Sequence, residues 1–202
     1  MKLSERKRLD ILNAARTEFI RHGFAATSMD AIAKAAATSK RTVYNHFSCK
    51  DVLFEAIVAQ MLEQVFSASA LPFSSTEPLR EQLVSIARQE IELFEQEEVI
   101  ALSRVVLAHA MHDGSFTQKV FGSLGEYETG IQAWLRAAHH AGVLRVEDPA
   151  MVSEQFIGML KSFYFWPVIM GIPKGGKAPV KDKIIDSVVD MILFSCGYQA
   201  KN

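Results

Sequence analysis

The chain has 202 residues, 49% hydrophobic and 22% charged, which supports a sizeable buried core and excludes an intrinsically disordered chain. The longest apolar-looking run, residues 151–171, is interrupted by Glu154, Gln155, Lys161 and Ser162, so no bilayer span is expected. The charged start Met1-Lys2-Leu3-Ser4-Glu5-Arg6-Lys7-Arg8 lacks the apolar stretch of a signal peptide, and a cytoplasmic protein with no membrane partner is expected. Two cysteines, Cys49 and Cys196, are too few for a disulfide framework or a cysteine zinc site.

The net charge of -1 hides a polarised chain. Residues 1–50 hold ten basic against four acidic side chains, a net of +6, and the remainder twelve against nineteen, a net of -7. A basic end on an acidic body points to a polyanionic partner for the first fifty residues.

No segment alternates with the period of a strand, whereas helical spacing runs almost throughout, so the fold class is all-α with about nine helices. The first helix runs from about Ser4 to His22, with Leu9, Leu12, Ala15 and Phe19 on one stripe and Gly23 as its stop. Thr27 or Ser28 opens a short second helix ending near Ala35, and Thr38-Ser39 a third ending near Asn45. A fourth starts at Ser48 with Asp51 three residues on, a capping-box spacing. After the Pro72 to Pro78 loop come helices to about Gln96, from Val99 to His112, and from Ser123 to Ala141, with a short piece around Phe116 to Phe121. Asp148-Pro149 opens an eighth helix reaching Met170, kinked by Pro167, and the ninth covers about Val180 to Gly197.

Helices two and three fit a helix-turn-helix: a supporting helix, a tight turn and a short second helix with polar outward positions. On the third helix Val43 and Phe47 are four apart and can pack inward with Ile32 and Phe19. Ser39, Lys40, Arg41, Thr42, Tyr44, Asn45 and His46 are left for the outer faces. Arginine can donate two hydrogen bonds to guanine and asparagine can pair with adenine, while Lys, Thr, Tyr and His commonly hold phosphates.

The run Thr27-Ser28-Met29-Asp30-Ala31-Ile32-Ala33-Lys34 through Ser39-Lys40-Arg41-Thr42-Val43-Tyr44-Asn45-His46-Phe47 to Lys50 and Leu53 resembles the TetR family of bacterial transcriptional regulators, over about residues 8 to 55. The resemblance implies a homodimer that binds palindromic operator DNA and changes affinity when a small-molecule effector enters its C-terminal domain. By position it makes Thr27, Tyr44, His46 and Lys50 phosphate contacts and Lys40, Arg41, Thr42 and Asn45 base readers, with Ser28 and Ser39 completing the candidate set. Family members usually carry glycine where this chain has Ala37 and Arg41, and alanine at that turn costs about 1 kcal/mol if the position needs a positive φ. The expected division is a DNA-binding domain over residues 1–50 and a ligand-binding and dimerisation domain over 51–202.

In the body, a carboxylate interrupts the apolar stripe of the fifth helix at Glu90, beside Phe94, and the sixth helix lines up Val105, His109 and His112. With Phe116, Phe121, Trp134, Phe156 and Phe163 these make an apolar candidate cavity with a few polar anchors. His109 and His112 have no third ligand at a diagnostic spacing, so neither metal nor cofactor is expected. The last two long helices are apolar on more than one side, whereas a helix serving only its own core needs one stripe. Their second faces are expected to form a four-helix dimer seam including Ile157, Met159, Tyr164, Val188 and Ile192. A ligand-responsive repressor is therefore the leading expectation. A DNA-binding regulator without a small-molecule ligand, or an enzyme with a vestigial helix-turn-helix, is the alternative. The phosphate-loop, nucleophile-elbow, zincin and dinucleotide motifs are missing from the sequence, so no enzyme activity is expected.

Overall fold

A computed structural model of the chain describes residues 3–67, 71–122, 128–172 and 180–198. Among these, eleven helices and no strand are found: α1 (Leu3–Ala26), α2 (Met29–Ala35), α3 (Lys40–His46), α4 (Lys50–Ser67), α5 (Leu79–Phe94), α6 (Glu97–Ala110), α7 (Gly114–Phe121), α8 (Gly130–His140), α9 (Pro149–Tyr164), α10 (Trp166–Ile169) and α11 (Lys181–Ser195). The two helices beyond the expected nine have local causes. Asp113 caps α7 by accepting from the Ser115 and Phe116 amides, which makes a helix of the short piece. The expected eighth helix divides at Phe165, because Pro167 supplies no amide to continue the α9 ladder and sits in the first turn of α10. The seventh expected helix begins at Gly130, and its expected start lies outside the described residues.

Packing separates the chain into two units, Met1–Glu63 with Ala101–Leu124, and Gln64–Ile100 with Gly125–Asn202. The first therefore contains more than the expected fifty-residue module: α6 from Ala101 and all of α7 pack with it. Its core buries Ile11, Leu12, Ala15 and Phe19 of α1 with Ile32, Val43, Phe47, Leu53, Phe54 and Ile57. Gly23 breaks α1 with φ 77 and ψ 166, a backbone conformation that side-chain-bearing residues avoid, at the expected stop.

The second unit is built around α5, α8, α9 and α11, whose inward stripes include Leu83, Ile86, Trp134, Leu135, Phe156, Leu160 and Val189. Ion pairs set α5 antiparallel to α11: Arg80 to Asp186 at 2.7 Å and Asp190 at 3.0 Å, Arg88 to Asp182 at 3.3 Å, and Glu95 to Lys181 at 2.8 Å. Buried Gln82 clasps the loop before α5. Its amide nitrogen donates to the Ser74 and Glu77 carbonyls, and its oxygen accepts from the Ser74 amide and the Trp134 indole. All four hydrogen-bonding positions of this interior amide are thereby used. Asp148 caps α9 with Pro149 following, as the sequence pattern predicts, and Thr129 caps α8.

Candidate nucleic-acid interface

The α2–turn–α3 segment is held by short-range chemistry. The Ser28 hydroxyl accepts from the Ala31 amide at 3.1 Å and Ser39 from the Thr42 amide at 3.0 Å, so both short helices start on a cap. Between them, the Ala37 amide donates to the Lys34 carbonyl at 3.2 Å and the Thr38 amide to the Ala33 carbonyl at 3.0 Å, a Schellman closure whose middle residue must be left-handed. Ala37 takes that conformation with φ 47, alone among the described non-glycine residues. Ala37→Gly is expected to raise stability by about 1 kcal/mol, seen as a later midpoint in urea denaturation. An unchanged or earlier midpoint would mean that the turn carries no strain.

The turn sets α3 with Val43 inward and Arg41, Tyr44 and Asn45 exposed, a cluster at helical spacings of three and four on the outward side. Around it the other candidates divide by what they already touch. The Ser39 and Thr42 hydroxyls lie 2.8 Å apart and bond each other. Lys40 is paired with Asp30, 2.7 Å and 3.0 Å from its two carboxylate oxygens, and this hydrogen bond and charge raise the lysine pKa above its ordinary value. His46 is partly buried next to Phe47, and the Arg8 guanidinium lies 5.0 Å over the Phe47 ring.

Two expected phosphate contacts are engaged inside the unit. Thr27 is 3% exposed, and its hydroxyl donates to the Gly23 carbonyl at 2.8 Å, with that of Glu18 at 3.2 Å. The Lys50 ammonium donates to the carbonyls of Phe24, Ala25 and Thr27 at 2.7, 3.2 and 3.0 Å and lies 4.4 Å over the Phe24 ring. It thereby satisfies carbonyls left open where α1 ends. Lys50→Met is expected to cost about 2 kcal/mol of stability, the scale of charge-assisted hydrogen bonds, in urea denaturation. Its DNA-binding salt slope should stay that of the wild type, whereas a slope lower by about one would restore Lys50 to the phosphate contacts.

The ten effector candidates are divided between the two units. Val105, His109, His112 and Phe116 belong to the first unit, and Glu90, Phe94, Trp134, Phe156 and Phe163 to the second, while the Phe121 side chain lies outside the described residues. His109 packs among aromatic rings, with centroids 4.0 Å from Phe24, 4.6 Å from Phe116 and 5.5 Å from Phe54. His112 is exposed. Phe94, Trp134 and Phe156 are core residues and Glu90 is buried, whereas Phe163 is exposed. Of the seam candidates, Tyr164, Val188 and Ile192 are buried in the core of their own unit, and Ile157 and Met159 are partly buried. The apolar side chains that α11 leaves outside are Met191, 51% exposed, and Phe194, 86% exposed.

Residues 11–57 match the family described as bacterial regulatory proteins, tetR family. Residues 81–200, more than half the chain, match the AefR-like transcriptional repressor C-terminal domain. The chain belongs to the TetR family. Among solved structures, this TetR-family chain is similar to a TetR family transcriptional regulator from Pseudomonas syringae pv. tomato, with 33% identity, TM-score 0.74, and coverage of 95% of this chain and 97% of that one. It is also similar to the flavonoid-responsive regulator FrrA, with 26% identity, TM-score 0.77, and coverage of 98% and 100%. The transcriptional regulator UidR of Escherichia coli is 36% identical over 85 residues, 41% of this chain and 43% of that protein. The chain thus spans less than half the length of the curated relatives it matches.

The protein is a DNA-binding transcriptional regulator of TetR type. No described helix is long and apolar enough to cross a membrane. In this TetR regulator, family position picked out α3 but not the partners of its side chains. Asp30 escaped sequence reading because it lies ten residues from Lys40 and has an ordinary place in the first turn of α2. Phe24 and Phe54 escaped because nothing in their spacing pairs them with His109.

Proposed function

We propose that this regulator is a ligand-responsive repressor that binds palindromic operator DNA as a homodimer, in the cytoplasm, and is released by a small apolar or amphipathic effector. The observation that carries the reading is the exposed Arg41, Tyr44 and Asn45 cluster on the capped helix α3, within a segment of net charge +6. Arg41 and Asn45 supply the donor patterns that read guanine and adenine, and Tyr44 a hydroxyl for phosphate. DNA binding is assigned to residues 1–50, and effector binding and dimerisation to 51–202. The repressor role is supported by the description of the matched C-terminal domain. The effector class is supported by the apolar body and by the flavonoid-responsive relative.

The dimer places Met191, Phe194 and Phe163 in the seam. Apolar side chains this exposed on long helices are removed from water when a second copy covers them. Two α3 helices then meet successive major grooves about 34 to 36 Å apart. Release needs an effector that prefers the pose in which the two α3 helices are misplaced for DNA, and coupling of about 1 to 3 kcal/mol changes operator affinity roughly 5- to 150-fold. The route runs through α4 and α6, which reach the DNA-reading segment through the rings of Phe24, Phe54, His109 and Phe116.

The test is selection of bound duplexes from a random DNA pool by purified protein at near-physiological salt. A palindrome with half-sites about one turn apart is expected, and planar aromatic compounds, flavonoids first, should lower retention of the enriched duplex. Failure to enrich any sequence would refute the reading. An enriched duplex that no such compound releases would remove the effector part alone.

A further inference from the structure

The ion pair between Asp30 and Lys40 contributes little to the stability of the fold. Asp30 is the second residue of α2 and Lys40 the first of α3, and the turn through Ala37 brings them to 2.7 and 3.0 Å. Their side chains are 64% and 58% exposed, and ion pairs in such surroundings add little to stability. Helix capping does not need the carboxylate either, because the Ser28 hydroxyl already caps α2. Asp30 is the one acidic residue between Thr27 and Phe47, so a negative charge stands beside the helix that faces a polyanion. By Coulomb's law it opposes any phosphate that approaches Lys40.

Binding to random DNA is almost wholly electrostatic, whereas binding to an operator adds hydrogen bonds to base edges that depend on where donors sit. A lysine has three donors, and a carboxylate with two oxygens leaves at least one of them for a third acceptor. The carboxylate thus gives Lys40 a partner at the start of α3 and lowers the local positive potential that draws phosphate, while leaving the ammonium able to give a hydrogen bond to a base. Resting on the operator-binding reading above, we propose that Asp30 is a specificity-determining residue: it positions Lys40 for base readout and disfavours random duplex.

The experiment uses the full chain as wild type, Asp30→Asn, Asp30→Glu, Lys40→Met and the double variant Asp30→Asn with Lys40→Met. Each is titrated with the enriched palindrome and a shuffled duplex of equal composition at several salt concentrations, and thermal unfolding is recorded in parallel. Asp30→Asn is expected to tighten binding to the shuffled duplex about three- to tenfold, with a salt slope steeper by about one as Lys40 turns to phosphate. Palindrome affinity should not rise, so the ratio of the two affinities falls by a similar factor. Asp30→Glu should restore most of the ratio. In the Lys40→Met background the further change Asp30→Asn should leave the ratio unaltered.

A uniform change on both duplexes, or a lower unfolding temperature with an unchanged ratio, would reduce Asp30 to a charge or a helix-stabilising residue and overturn the proposal. An equal fall of the ratio with and without Lys40 would also overturn it, because Asp30 would not be acting through the lysine. Wild-type protein that fails to tell the two duplexes apart would overturn the operator reading itself. Discriminating wild type with an indifferent Asp30→Asn would overturn only this inference.

Discussion

Phe194→Glu is expected to convert the proposed dimer into monomers at micromolar concentration while leaving each subunit folded. Phe194 is 86% exposed on α11, with Met191 also outside, so a charge there disturbs no packing within the subunit. Covering a phenylalanine contributes about 1.5 to 3 kcal/mol, and a two-fold interface uses the residue twice. The change therefore removes roughly 3 to 6 kcal/mol, or about 10²- to 10⁴-fold in the dimer constant. Operator affinity falls with it, because one α3 helix alone reads half a site. Sedimentation velocity checks the mass and circular dichroism the fold. Ile192→Glu is the contrasting control: Ile192 is 2% exposed, and a buried unpaired carboxylate there should unfold the subunit. Phe194→Glu protein that sediments as an intact dimer would remove α11 from the seam.

Arg41→Ala is expected to weaken operator binding by about 1 to 3 kcal/mol per base pair read and to abolish preference at that one position of each half-site. Arg41 is exposed on α3, so stability should stay within about 0.5 kcal/mol of wild type. The readout is a titration over duplexes varied at every position of the half-site. A profile identical to that of the wild type would exclude Arg41 from base reading. A uniform loss over all duplexes with a lower salt slope would make it a phosphate contact instead.

Where structure was dictated by neighbours in the chain, the sequence was legible. Ser28, Ser39 and Asp148 sit at the helix starts that their chemistry favours. Gly23 breaks α1 near its end, and the positive φ that the turn demands falls on Ala37. Contacts between distant residues were not legible. The resemblance supplies the residue type at position 50, but its three carbonyl partners lie 23 to 26 residues upstream, and no local spacing encodes them. The α11 pattern shows apolar residues on two sides without marking which side is inward. Val188 and Ile192 therefore appear in the sequence as seam candidates although they fill the core, and Phe194, left outside with Met191, carries no distinguishing signal. The effector candidates are ambiguous for the same reason, since a ring on an apolar stripe reads alike whether it lines a cavity or, like Trp134 bonded to Gln82, packs in a core.

Whether α3 reads sequence in DNA is decided most directly by the ratio of affinities of wild-type protein for the enriched palindrome and a shuffled duplex of the same length, taken from about 50 to 200 mM salt. The palindrome is expected to bind roughly 10³-fold or more tightly at the upper salt concentration, with both affinities falling steeply as salt rises. Equal affinities for the two duplexes throughout that range would contradict sequence reading by α3.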